Sequence, residues 1–353
     1  MTDGEKIVHA SRLMEFCWQA FQKVGMSEEN ARVAADTLIS ANLRGVDSHG
    51  VMRFHSYIHR LVDGGANPSP HIRAVNRGPS FVRLDGGCGL GLVVSPRAMK
   101  EAIEIASRSG VGVAVVFNSD HFGAAAYYAM MALEHDMIGV SMTNAAPIMS
   151  IWGGRSRFIG NNPIAVAVPS GKEPPIVLDM AVSKVAGGKL RLEEKRGKKV
   201  PLDWLLDRDG NPTDDPKEFG EGGTLLPLGI KGYGLGVIVE VLCGILSGGR
   251  MLDEIPLFLA NTAKPVGICH FMMAIHVDAF LPVQEFKNRV DQLIQKIHSA
   301  PRGPGVDRIY LPGEIEHLEE RERKTEGIPL PQAVYQDLLE IGGTLNVDTE
   351  GLK

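Results

Sequence analysis

The chain has no apolar run long enough to cross a bilayer. Its longest, VIVEVLCGIL (Val237–Leu246), carries Glu240 and falls well short of the ~20 residues a span requires. It has no long basic run, and the formal net charge is -5. Nucleic acid and anionic membranes are therefore poor partners. Cysteine is scarce: Cys17, Cys88, Cys243 and Cys269 lie far apart with no CxxC spacing. Each sits among apolar neighbours and reads as a small buried hydrophobe in a reducing compartment. The first residues, MTDGEKIVHASRLMEF, lack the apolar core of a secretory signal, so a cytoplasmic location is expected. Also missing is a dinucleotide fingerprint. GCGLG (Gly87–Gly91) and GYGLG (Gly232–Gly236) are GxGxG, not GxGxxG between a strand and a helix, and no phosphate-binding GxxxxGK[ST] loop occurs. An ordinary Rossmann domain is rejected on this ground.

What is present is the composition of a folded globular protein. Of 353 residues, 44% are hydrophobic and 22% charged, and the length favours two domains. Leu13, Phe16, Cys17, Ala20, Phe21 and Val24 recur at helical spacing, stopped by Gly25. Ser27 can cap a second helix ending near Gly45, and Ser48 a third running to Gly64-Gly65. After NPSP the rhythm becomes strand–helix–strand. PSFVRLDGG and VGVAVVFN read as strands around a helix with Ser95 as N-cap and Pro96 in its first position. HFGAAAYYAMMALEHD is a helix; MIGVSMT, NPIAVAVP and PPIVLDMA are strands. A charged excursion occupies about 184–224, and KGYGLGVIVEVLCGILSGG reads as a strongly buried helix. HFMMAIHV is a strand, followed by the amphipathic EFKNRVDQLIQKIHSA and the polar helix EIEHLEERERKTEG.

The stretch RGVDSHGVMRFHSYIHR concentrates chemistry. On a helix wheel begun at His49, the residues His49, Arg53 and Tyr57 share one polar stripe, and His55 and His59 another. Arginine offers a planar fork that fits a carboxylate, and His and Tyr can bond a neighbouring oxygen. The competing reading of that stripe is a polar face in water, or a capped helix with a buried arginine pair. His55 and His59 could supply half of a metal site, but no third ligand stands at a recognisable spacing, which favours surface or interface histidines. His121 follows a buried strand and precedes a helix, where ligands gather in open α/β sheets. It can act as general acid or base, or simply cap a helix. Lys231, at the start of a helix, is a candidate phosphate seat.

Together RGVDSHGVMRFHSY, NSDHFGAAAYYA, GNNPIAVAVP, LDMAVSKVAGGK, GIKGYGLGVIVEVLCGILSGG and YLPGE resemble, in order and spacing, the type 2 malate/L-lactate dehydrogenase family. That family also holds sulfolactate and ureidoglycolate dehydrogenases, diketogulonate reductases and cyclic-imine carboxylate reductases. The likeness runs from Leu13 to about Leu339. It implies a non-Rossmann α/β fold of the L-sulfolactate dehydrogenase type, three layers (α/β/α) around a mixed sheet, with a helical N-terminal region. It implies a discontinuous substrate and dimerisation domain (1–122 and 311–353) and an NAD(P)-binding domain (123–310). It implies reduction of a small 2-oxo acid by NADH or NADPH, or the reverse, in a homodimer with active sites near the subunit interface. Residue by residue, His121 matches the catalytic histidine. Ser48, His49, Arg53 and Tyr57 match substrate-contacting positions. Ala145, Asp179, Met180, Ala181, Lys231, Pro312, Gly313 and Glu314 match cofactor-contacting ones. The sequence departs from the pattern at Val182 and Ile230, neither a proposed catalytic group. The remaining readings are a metal-dependent hydrolase or lyase and a non-enzymatic scaffold.

Overall fold

The computed structural model describes residues 5–258 and 261–352. Strand β1 (Glu5–Val8) leads into α1 (Ala10–Lys23), whose stripe Leu13, Phe16, Cys17, Ala20 and Phe21 is buried as the spacing predicts. Ser27 accepts the Asn30 N–H at 3.3 Å and caps α2 (Glu28–Leu43). The next stretch departs from the wheel. Two short 3₁₀ turns, Asp47–His49 and Val51–Arg53, precede α3 (Phe54–Val62), so Ser48 caps nothing. The cause is a close approach at Gly50. A Cβ there would lie 2.1 Å from Asn42 Oδ1, which instead accepts the Val51 N–H at 2.8 Å. Asn42 also donates to Asp47, and Arg323 bridges Asp47 at 2.7 Å, so the turn is clamped from both ends of the chain.

Then follow β2 (Arg73–Arg77), β3 (Phe81–Asp85), α4 (Gly91–Ser109), β4 (Val111–Ser119), α5 (Ala125–Met131), β5 (Met137–Thr143), β6 (Ile164–Val168) and β7 (Ile176–Met180). Helix α4 starts five residues before Pro96, so Ser95 is not its cap. Leu92, Val93 and Val94 are buried, and their burial draws the helix back into the apolar GLVV segment. The charged excursion holds α6 (Gly187–Lys195) and three two-residue strands, β8 (Leu205–Leu206), β9 (Pro212–Thr213) and β10 (Thr224–Leu225). After α7 (Gly229–Glu240) come β11 (Ile268–His276), α8 (Val283–His298), α9 (Glu314–Glu326), β12 (Ile328–Pro331) and α10 (Gln332–Leu345).

The seven-stranded sheet has the order β2-β3-β4-β11-β5-β6-β7. Only β3 and β4 pair parallel; every other neighbouring pair is antiparallel. This is the mixed, non-Rossmann sheet expected from the sequence. Helices α4 and α5 cover one face through Met99, Ala102, Ala126 and Ala129. The α7 region covers the other through Val239 and Cys243. Two glycines set the first layer's spacing. A Cβ at Gly112 would sit 2.0 Å from Ala102 O, and one at Gly139 2.0 Å from Ala129 O. A separate core joins α1, α2, α3 and α10, and the β1–β12 ladder ties the two ends of the chain. The sheet takes β2–β4 from residues 1–122 and its other strands from 123–310, so one sheet spans both expected domains.

Helix α7 is not buried on all sides. Gly232, Gly236, Val239 and Glu240 face inward, and the helix continues as a π turn, Val241–Ile245. Ile230, Ile238, Ile245 and Leu246 are each more than half exposed. Among the described residues no helix is long and apolar enough to cross a membrane.

Candidate active site

The site begins with a buried ion pair that sequence spacing does not reveal. Arg60 on α3 is 0% exposed and Asp120, just past β4, is 1% exposed. Arg60 donates from Nε to Asp120 Oδ2 at 2.8 Å, with its second nitrogen at 2.7 Å. Its remaining N–H groups go to the carbonyls of Gly65, Phe258, Asn261 and Lys264. Asp120 also accepts the His121 N–H at 2.7 Å. Burial pushes the Asp120 carboxyl up to about 6 against the pull of Arg60, which leaves it ionised at neutral pH. One guanidinium thus locks α3, the end of β4, Phe258, Asn261 and Lys264 into a single unit.

That lock brings Tyr57 to His121. The phenol oxygen lies 2.6 Å from His121 Nδ1. The Gly123 N–H also points at Nδ1, at 3.3 Å. An N–H can only donate, so Nδ1 is the acceptor here and the neutral ring carries its proton on Nε2. The His121 ring is flanked by Phe258 (centroids 4.9 Å apart) and by the near-parallel His49 ring (5.9 Å). Burial lowers its pKa well below the usual imidazole value, and the cationic surroundings, with Arg53 and Arg60, lower it further. His49, bonded to Ser48 Oγ at 2.9 Å, is lowered to about 4 by burial and by Arg53. Behind the site His270 bridges Thr143 Oγ1 and Ser119 Oγ at 2.9 Å each and stacks on Phe122. Burial lowers it to about 3. The site therefore presents neutral imidazoles beside fixed arginine charge.

Ser48, His49, Arg53 and His121 share the wall of a cavity of about 400 Å³ with Asn144, Ala145, Asn161, Arg191 and an apolar side made by Leu257, Phe258 and Ile268. Arg53 is oriented by its Nε bond to Ser48 O at 3.0 Å. Tyr57 stands elsewhere: it is fully buried behind His121, and its hydroxyl is spent on that ring. A neighbouring recess of about 280 Å³ shares Ser48, His49, Gly123, Asn161, Pro163 and Ala186 with the cavity and runs past Asp179, Met180 and Ala181. Asp179 accepts the Ala126 N–H at 2.9 Å and so caps α5, and burial pushes its carboxyl up to about 6.

The C-terminal residues reach the recess indirectly. Gly313 packs on Val177, whose N–H donates to Pro312 O at 3.0 Å, and Glu316 lines the recess. Glu314 is turned away, paired with His298 at 2.9 Å and with Arg308. Lys231 is exposed on the first turn of α7, a helix seated by the Leu228 N–H to Val182 O bond at 2.8 Å, and lines neither recess. His55 and His59 sit together on the outer face, their Nε2 atoms 3.1 Å apart. Among the described residues no group of three or more His, Cys, Asp or Glu gathers as a metal site. Sequence reasoning missed Arg60, Asp120, Asn144, Arg191 and Phe258. Arg60 and Asp120 lie inside the stretches RGVDSHGVMRFHSYIHR and NSDHFGAAAYYA, with nothing local to mark them as partners; Asn144, Arg191 and Phe258 look like ordinary loop or helix residues.

Residues 8–339 match the sequence profile described as malate/L-lactate dehydrogenase. The malate dehydrogenase of Pyrococcus horikoshii is 42% identical, covering 97% of this chain and 96% of that protein. The L-sulfolactate dehydrogenase of Methanocaldococcus jannaschii is 40% identical over 93% of this chain and 94% of its own length. The crystal structure of malate dehydrogenase from Entamoeba histolytica superposes with a TM-score of 0.94 at 35% identity, covering 98% of this chain and 99% of that one. With a profile matched over nearly its whole length, the chain belongs to the malate/L-lactate dehydrogenase family of oxidoreductases.

Proposed function

We propose that the cavity beside His121 binds a small 2-oxo or 2-hydroxy acid and exchanges hydride at its C2 with NAD or NADP. The observation that carries this reading is the convergence of two segments 64 residues apart. Tyr57 holds the His121 ring while Arg53 stands on the wall of the same cavity. The adjoining recesses suit an extended dinucleotide. They adjoin along the residues they share, Asn161 among them, and Ala145, Gly187 and Gly188 line the larger of the two. The bound nicotinamide supplies or accepts the hydride.

The chain's own residues do the rest. The Arg53 fork pairs with the C1 carboxylate and fixes C2 in place, and His49 bonds the same carboxylate. His121 Nε2 faces the C2 oxygen. In the reducing direction it donates a proton there; in the oxidising direction it removes one. The free ring is neutral, so reduction requires the site to take up a proton with the anionic substrate. The carboxylate makes this possible by offsetting Arg53, one of the charges that holds the His121 pKa down. When the ring is protonated, Nδ1–H donates to Tyr57, whose hydroxyl turns from donor to acceptor.

Malate or lactate is the substrate type favoured; ureidoglycolate, sulfolactate and a cyclic-imine carboxylate are the alternatives within the family. The exposed apolar face of α7 supports a homodimer in which a second copy covers Ile230, Ile238 and Ile245. Four free thiols suit the reducing cytoplasm. The test is a screen of 2-oxo acids with NADH and NADPH, followed at the reduced-cofactor absorbance band, on wild type and His121→Ala. The variant should bind cofactor and lose most turnover; near-native kcat in it removes His121 from the chemistry.

A further inference from the structure

The substrate cavity holds two guanidiniums and no carboxylate. Arg53 and Arg191 both line it, and among the described residues no Asp or Glu does. Arg53 is fixed by the Ser48 carbonyl. Arg191 comes from the second turn of α6, and that helix is seated directly against the Ser48 turn: a Cβ at Gly188 would meet Ser48 Cβ at 3.6 Å. Burial lowers the pKa of Arg53 and of Arg157, and the Arg191 charge lowers both further, so three like charges converge on this side of the site.

The partners of these arginines differ. Arg157 is spent on the carbonyls of Gly223 and Phe219. Arg196, on the turn after α6, pairs with Glu193 at 3.4 Å. Among the described residues Arg191 makes no hydrogen bond and no ion pair, although acidic residues stand two and three positions away on its own helix. A substrate with one carboxylate satisfies Arg53 and leaves the Arg191 fork, on the same cavity wall, without an anionic partner. A substrate with a second anionic group satisfies both.

We infer that Arg191 is a specificity-determining residue that binds a second anionic group, a C4 carboxylate or C3 sulfonate, on a 2-oxo acid whose C1 carboxylate lies on Arg53. This rests on the dehydrogenase reading above, and the substrate it selects is a dianion. Arg191 is exposed and makes no hydrogen bond or ion pair among the described residues, so replacing it leaves the fold intact.

The experiment measures kcat and KM for pyruvate, oxaloacetate and sulfopyruvate with saturating reduced cofactor, on wild type, Arg191→Gln and Arg191→Lys. Wild type should prefer the dianions. Arg191→Gln should lower their kcat/KM by on the order of 10- to 100-fold more than it lowers that for pyruvate, chiefly through KM. Arg191→Lys should keep a larger part of the preference, since it keeps the charge without the fork. Whichever dianion responds names the group that Arg191 reads. An equal loss on all three substrates, or a wild type that uses pyruvate as well as the dianions, overturns the inference alone. A wild type that reduces none of the three overturns the malate, lactate or sulfolactate substrate assignment on which the inference stands.

Discussion

Replacing Tyr57 with phenylalanine removes one oxygen and almost nothing else. The ring is fully buried, edge-on to Phe258 at 5.6 Å, and the substitution keeps that contact. What disappears is the 2.6 Å bond to His121 Nδ1. The neutral ring retains the Gly123 N–H at 3.3 Å. The imidazolium is worse off. Its Nδ1–H would point at a phenyl edge and a backbone N–H, with no acceptor. A hydrogen bond to a charged group contributes about 1.5–3 kcal/mol, and leaving the donor buried and unmet forfeits it. At about 1.4 kcal/mol per tenfold, kcat/KM for 2-oxo acid reduction should fall by about 10- to 150-fold. The His121 pKa should fall by about 1–2 units, which moves the reduction profile to lower pH. Steady-state rates against pH check the kinetics, and urea unfolding should place stability within about 1 kcal/mol of wild type. A Tyr57→Phe enzyme with the wild-type profile and rate would show that the phenol does not support the proton transfer.

The two directions should also respond oppositely to pH in the wild type. Because burial and nearby cations hold His121 below the usual imidazole pKa, kcat/KM for reduction should fall about tenfold per pH unit above that value, whereas kcat/KM for oxidation should be level there; parallel profiles refute the assignment of the proton. Arg53→Lys keeps charge and loses the fork, so KM for the 2-oxo acid should rise about tenfold or more with little change in cofactor binding, which fluorescence titration of NADH or NADPH checks. Asp120→Asn removes one member of a wholly buried pair with Arg60. It should lower unfolding stability by about 3–5 kcal/mol in a urea titration, and a loss below 1 kcal/mol would mean Arg60 is held by its four carbonyls alone.

Much of the fold was readable from local spacing. The apolar stripe of α1, the Ser27 cap and the β4–His121–α5 order each depend on residues within about ten positions of one another. The errors have physical causes of the same kind. Gly50 breaks the helix wheel because Asn42, eight residues earlier, occupies the space a side chain would need. The α7 stretch read as buried because apolar residues lie all around it, and the side open to solvent in one subunit is invisible to composition. His49 and Arg53 still reached one cavity wall, although 3₁₀ turns rather than one helix carry them. Arg60–Asp120 and Tyr57–His121 join residues 60 and 64 apart, and nothing periodic marks such pairs. Arg191 lies in a run of alternating charge that looks like a solvated helix face, and only its place on the cavity wall sets it apart.

The wiring of the sheet explains how a chain without a dinucleotide fingerprint still gathers its site at strand ends. In a doubly wound parallel sheet all strands point one way, and a crevice opens past their carboxyl ends. Here β11 runs antiparallel to both β4 and β5, so those two run in the same direction; β7, two antiparallel steps beyond β5, does so again. The ends at Ser119, Thr143 and Met180 therefore open on one edge, and the segments after them carry His121, Ala145 and Ala181. Inserting β11 separates β4 from β5 by two strand spacings, about 9.6 Å, enough to leave a ring-sized gap between their loops. The start of β11 enters that gap from the opposite direction. Ile268, with Leu257 and Phe258 from the segment before it, supplies the apolar wall facing the polar groups. Moving β11 to the sheet's edge would close the gap and separate His121 from its apolar wall, so the antiparallel insertion, rather than a glycine loop, is what opens the cavity.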